Sequence, residues 1–189
     1  MFERFTEDAR AVVIGARACS TRAAASEVTN EHLLLALLDL EGAARTGFAF
    51  HALGVLDRRA SLEASLDDAR RHGGMTQADQ KALAALGIDV AGIVARVEQT
   101  HGAGALVGGR KERRRWSGGP SFAREAKTTL EKSLRIALGR RDRFIGAEHI
   151  LLALTAQDGV VAEVLAEHGA TYAALERAMF GQPEAGSAA

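Results

Sequence analysis

Two Glu-His pairs, Glu31-His32 and Glu148-His149, stand out as residues whose types could do chemistry. A carboxylate beside an imidazole can move a proton or hold a metal. A metal site needs further ligands at fixed spacing, and no His-Glu-x-x-His or similar pattern accompanies either pair. Both histidines therefore read as structural, each bonded within its own repeat of the chain, and His51 and His168 read the same way. The chain has one cysteine, Cys19, so an intramolecular disulfide and a Cys-based zinc site are both excluded. Cys19 falls among the apolar positions of a helix and reads as a buried, inert thiol. No Ser-His-Asp or Cys-His signature is visible, and no G-x-x-x-x-G-K-[ST] run exists to cradle nucleotide phosphates. The expectation is a protein that is not an enzyme, with no catalytic residue, no metal and no cofactor. The other chemical feature is a basic run, Arg110-Lys111-Glu112-Arg113-Arg114-Arg115-Trp116. It reads as a solvated linker, with contact to nucleic acid or a regulatory partner as the alternative function.

These residues must be positioned by helices. Of 189 residues, 47% are hydrophobic and 25% charged, an ordinary globular balance. Lys+Arg and Asp+Glu both number 24, so the whole chain is not a polyelectrolyte built for nucleic acid. Two prolines, few aromatics and abundant Ala and Leu favour helix throughout. The N-terminus has early acids and no apolar core of a signal peptide. The strongest apolar run, Leu33 to Leu38, falls far short of the roughly 20 residues of a membrane span. A soluble, cytoplasmic protein with no membrane contact is expected.

Along the chain, Ala9, Val12, Val13, Ala16 and Cys19 recur at helical spacing after Thr6, a candidate N-cap with acids in the first turn. A short, heavily buried helix is expected over Glu31 to Leu40, capped by Thr29 or Asn30. Further helices are expected from Gly42 to near Gly54 and from Leu56 to Arg71, stopped by Gly73-Gly74. The chain then repeats itself. Phe122-x-x-x-Ala126 matches Phe5-x-x-x-Ala9, and the segment from Glu148 to Leu154 matches that from Glu31 to Leu37. Both matches fall at one offset of 117 residues, from 5 to 122 and from 31 to 148. Two motifs at one offset indicate a tandem repeat of a four-helix unit. Between the units, residues 76–100 have helical periodicity broken at Gly87, and 102–120 form a basic, glycine-rich segment expected to be a flexible loop. The expected divisions are a first repeat over 1–71, an insert over 72–120, a second repeat over 121–181 and a frayed tail over 182–189.

The opening Met1-Phe2-Glu3-Arg4-Phe5-Thr6, the Ala-centred helix and the E-H-[IL]-L-L-x-L helix, all but the first residues duplicated, resemble the Clp N-terminal repeat domain. That domain stands at the front of ClpC- and ClpA-type unfoldase subunits. The resemblance covers both repeats, about two-thirds of the chain, and implies an all-α fold of two pseudo-twofold halves. The ATPase modules are missing, so the chain looks like a stand-alone N-domain. The resemblance implies a non-enzymatic binding module for protein substrates, adaptors or peptide ligands of a Clp protease system, acting as adaptor, competitor or decoy.

The resemblance also implies sites. In ClpC-type domains, each repeat binds phosphoarginine with a threonine at the start of the first helix and a glutamate at the start of the second. A carboxylate pairs bidentately with guanidinium, while a hydroxyl and helix N-terminal N–H groups hold phosphate. Thr6 and Glu31 match this in the first repeat. Glu148 matches in the second, where Ala123 replaces the threonine. The residue before each glutamate departs from the family threonine, being Asn30 in one repeat and Ala147 in the other. Phe2, Phe122 and Lys127 match a surface that binds cyclic peptide antibiotics in mycobacterial-type ClpC domains. Their residue-level alternative is simpler: the glutamates favour a helix dipole, and the phenylalanines staple a helix start to the core.

Overall fold

The structure, a computed structural model, describes residues 2–40, 44–106 and 119–181. The basic run 110–116 and the tail 182–189 lie outside the described residues, as does the Phe2 side chain. The described residues form a short 3-10 turn at Phe2–Arg4 and ten α-helices: α1 (Glu7–Arg22), α2 (Asn30–Leu38), α3 (Ala44–Ala52), α4 (Arg59–Arg71), α5 (Gln77–Ala85), α6 (Val90–His101), α7 (Arg124–Gly139), α8 (Ala147–Thr155), α9 (Val160–Glu167) and α10 (Tyr172–Phe180). Two-residue strands β1 (Glu27–Val28) and β2 (Ser121–Phe122) complete them. This is the expected all-α class.

The offset of 117 read from the motifs holds in the elements themselves. α1 and α7 begin and end 117 residues apart, and so do α2 and α8. The strands show how the halves join. β1 of the first repeat pairs in parallel with β2 of the second, with Val28 opposite Phe122. Phe5 bridges to Ile145 in the same sense, and these are the repeat mates of Phe122 and Val28. The two short pairings are thus one contact seen twice across a pseudo-twofold axis. Each exchanges a segment between repeats.

The helices interleave as well. α2 and α8 pack on each other and on their own first helices, α1 and α7. Their apolar positions run nearly all round, as a helix enclosed on every side requires; Leu33, Leu34, Leu37, Ile150, Leu151 and Leu154 are fully buried. α3 then packs on α10, and α4 on α9, so each outer pair takes one helix from each repeat. One core therefore serves both halves. Gly15 on α1 lies so close to α2 that a Cβ there would stand 3.1 Å from the Ala36 Cβ. This explains a glycine inside a helix, where it otherwise costs stability.

The insert forms α5 and α6, joined through Gly87, which has a positive φ of 80°. It is tied down by polar contacts. Thr76 caps α5 and donates to Glu163 of α9 at 2.8 Å, and the Ala78 N–H donates to Glu167. No residue of α5 is buried, and Val90 alone is buried in α6. Among the described residues, no single helix is long and apolar enough to cross a membrane.

Candidate functional site

The exchanged strands decide what surrounds each glutamate. The Ala123 N–H donates to Val28 O at 2.9 Å, and the Thr6 N–H donates to Ile145 O at 3.0 Å. The start of α7 therefore sits beside the segment that leads into Glu31. The start of α1, with Thr6, sits beside the segment that leads into Glu148. This corrects the expectation that Thr6 and Glu31 share one pocket. Each glutamate thus has the first helix of the other repeat beside it, because the chain crosses the pseudo-twofold axis before each second helix. Thr6 is the N-cap of α1, its hydroxyl accepting from the Ala9 N–H at 3.2 Å. Ala123 supplies no side-chain cap to α7.

The second helices start one residue earlier than the departures from the family threonine suggest. The caps are Thr29 and Gly146, while Asn30 and Ala147 are the first helical residues. Of the two caps expected for the first of these helices, Thr29 or Asn30, it is Thr29 that serves. Each glutamate occupies the second position and each histidine the third. The histidines close the caps. His32 Nδ1 accepts from the Thr29 N–H at 3.0 Å, with the Thr29 hydroxyl at 2.8 Å. His149 Nδ1 accepts from the Gly146 N–H at 2.9 Å, and its Nε2 meets Asp142 at 3.0 Å. An imidazole accepting on Nδ1 carries its proton on Nε2, so Asp142 receives that proton in a hydrogen bond. Burial, aided by the Arg70 charge, holds the His32 pKa below its ordinary value. These are structural histidines. His168 is structural too, but not within its own repeat alone: it links Val164 O to the Ser61 hydroxyl of α4 in the first repeat, which corrects that part of the expectation because α4 packs on α9; His51 instead is exposed. Cys19 is buried.

Glu31 lies in the wall of a cavity of about 500 Å³ between the starts of α2, α7 and α9 and the end of α4. Arg70, in the last turn of α4, donates to Glu31 at 3.0 Å and also to Asp67. Glu125 of α7 and Asp158, just before α9, add two carboxylates to the lining, and Leu106 and Val160 add apolar surface. Burial raises the Glu31 pKa, Arg70 opposes the shift, and Asp67 and Glu125 add to it. Asn30 braces the cavity from both repeats. Its N–H donates to Glu125 Oε1 at 3.2 Å, and its Oδ1 accepts from Thr129 at 2.7 Å.

Glu148 has other neighbours. Arg45 of α3 approaches it at 3.4 Å. The Glu148 carboxylate folds back over Gly146, where any Cβ would collide with it. The repeat mate of Gly146 is Thr29, whose side chain fills that space, so Glu31 reaches outward to Arg70 instead. Nearby, Phe180 carries two guanidiniums, Arg140 at 3.5 Å and Arg45 at 5.3 Å from its ring centre.

The third expected surface divides. Phe122 sits on β2, half-buried against the core, and Lys127 is exposed on α7. Phe5, the repeat mate of Phe122, is buried. Sequence reasoning missed Arg70, Arg45, Glu125 and Asp158. Their only local signal was charge at a helix end, and helix packing across the repeats is what brings them to the glutamates. Among the described residues, no group of three or more His, Cys, Asp or Glu could hold a metal ion.

Comparison with known proteins agrees with this architecture. The N-terminal domain of the caseinolytic protease associated chaperone ClpD from Arabidopsis thaliana superposes with a TM-score of 0.52 at 20% identity, over 95% of this chain and 94% of that one. A structure described as part of a malarial protein secretion system covers 95% of this chain and 99% of its own, at 12% identity and a TM-score of 0.49. Residues 121–185 match the sequence model of the Clp repeat (R) N-terminal domain. Residues 121–185 are thus similar in sequence to a Clp repeat, and the chain as a whole shares the all-α fold of the ClpD N-terminal domain.

Proposed function

We propose that this chain is a non-catalytic recognition module of a Clp-type protease system, which captures protein segments, substrates or adaptors that present arginine. A cytoplasmic location beside such a machine is part of this reading. One observation carries it. Both second-helix glutamates are largely buried, and each is already paired with a guanidinium of its own chain: Glu31 with Arg70, and Glu148 with Arg45. Charge-assisted pairing of carboxylate and guanidinium is strong and directional, and it recurs here at two equivalent positions built from different helices. The sites are shaped for guanidinium.

Phosphoarginine, the ligand that the resemblance implies, suits the Glu148 site better. Arg45 and Arg140 supply positive charge around Phe180, and the capped start of α1 with Thr6 lies alongside. Binding of a cyclic peptide through Phe2, Phe122 and Lys127 is a separate capacity of the same module. The test is calorimetric titration with phosphoarginine and with a labelled unfolded protein, on wild type and Glu148→Ala. Saturable binding weakened in the variant supports the reading. Absence of binding to both ligands at millimolar concentration removes it.

A further inference from the structure

The Glu31 cavity carries a ligand preference of its own, resting on the recognition reading above. Among the described residues, its lining holds three carboxylates, Glu31, Glu125 and Asp158, against one cation, Arg70. That cation is committed: its Nη2 donates to both Glu31 and Asp67. Helix α7 begins here with Ala123, so the hydroxyl that would help hold a phosphate is missing. The Asn30 N–H, at the start of α2, is taken by Glu125. The start of α9 also borders the cavity, at Val160 and Val161. A helix N-terminus supplies roughly half an elementary positive charge, which does not offset the surplus carboxylates.

We propose that this cavity takes the unmodified arginine side chain of a partner protein, in exchange for Arg70. One guanidinium leaves Glu31 and another replaces it, so the charge at the carboxylate is conserved. The methylene stem of the incoming arginine lies along Leu106 and Val160, both partly exposed in the lining, as such stems do on apolar surface. Arg70, nearly half exposed, swings to solvent while keeping Asp67 within reach. A phosphorylated arginine breaks this balance by bringing net negative charge into an acidic wall. Arg70 is thus a placeholder that sets affinity: binding is always a displacement.

The experiment is fluorescence anisotropy with a short labelled peptide holding one central arginine and otherwise neutral residues. Its phosphoarginine and glutamine versions are the comparisons. The proteins are wild type, Glu31→Gln and Arg70→Ala, each confirmed as folded by circular dichroism. The arginine peptide is expected to bind at least about tenfold more tightly than the phosphorylated and glutamine versions, a preference of the size a charge-assisted pair supplies. Glu31→Gln should remove that preference, and Arg70→Ala should tighten arginine binding several-fold. Equal or tighter binding of the phosphorylated peptide overturns the proposal, as does weaker arginine binding in Arg70→Ala. If no peptide binds but the unfolded protein of the preceding test does, the cavity proposal fails and the recognition reading stands. If neither binds, both fail.

Discussion

The two repeats place a glutamate at the second position of equivalent helices, yet the carboxylates have different surroundings. Glu31 points into an acidic cavity and meets an arginine from α4. Glu148 folds over a glycine and meets an arginine from α3, near a ring that carries two cations. One substitution does much of this. Where the first repeat has Thr29, the second has Gly146, and the space over the cap is filled by hydroxyl and methyl in one case and by the glutamate itself in the other. A duplicated motif can thus keep its fold and diverge in what it binds, through a residue two positions before the glutamate.

The largest effect should appear where the halves are alike. Leu34 and its mate Leu151 are both fully buried in the shared core. Truncating either to alanine should cost about 2–5 kcal/mol. Because α3 packs on α10 and α4 on α9, denaturant unfolding of both variants should remain one transition by all probes. Two separated transitions in either variant would show that the repeats hold independent cores, and the interleaving would lose its energetic meaning.

The caps should separate the halves. Thr29→Ala removes the hydroxyl that meets His32 and should cost about 1 kcal/mol. Gly146→Ala removes no hydrogen-bonding side chain and turns the Glu148 carboxylate away. Alanine is a much poorer N-cap than glycine, so this substitution should also cost about 1 kcal/mol. The difference should appear in binding: Gly146→Ala moves the Glu148 carboxylate and should weaken phosphoarginine binding, whereas Thr29→Ala leaves Glu148 untouched. Equal losses in calorimetric titration would break the argument that position 29 and position 146 do different work. Smaller still should be the loss on Arg45→Ala, whose side chain is more than half exposed. An exposed ion pair typically contributes under about 1 kcal/mol, so a larger drop in stability would mean that Arg45 is structural and not held in reserve for a ligand.

How much of this was legible beforehand follows from what is local. The helices, the caps at Thr6 and Thr29 and the repeat offset depend on residues close in sequence, and each could be read from spacing. Structural roles for His32 and His149 followed from the missing metal pattern. The crossing was not legible. Phe5 and Ile145 are 140 residues apart, and nothing local says that each strand pairs with the other repeat. Misplacing Thr6 beside Glu31 came from that. Arg70 reads as one more basic residue at a helix end, and Arg45 as one more surface charge. Only the packing of α4 on α9 and of α3 on α10 gives them partners.

The finest distinction concerns protons at the first repeat. Burial and Arg70 lower the His32 pKa, so folding favours the neutral ring. The unfolded chain then binds more protons than the fold, and stability falls as pH drops below about 6.5 toward the folded value. Burial raises the Glu31 pKa from 4.5, so folding disfavours its charged form. That contribution has the opposite sign: it is fully present below about pH 4.5 and is lost as pH rises through the folded value. Between those limits the neighbours oppose each other, and the wild-type slope should be shallow. Glu31→Gln removes the opposing limb and should lose stability more steeply on acidification between pH 6.5 and 4.5. His32→Gln should lose less than wild type over the same interval. Urea denaturation at half-unit pH steps resolves the order of the three slopes, and a His32→Gln slope equal to wild type would mean that the cap of α2 does not depend on the neutral ring.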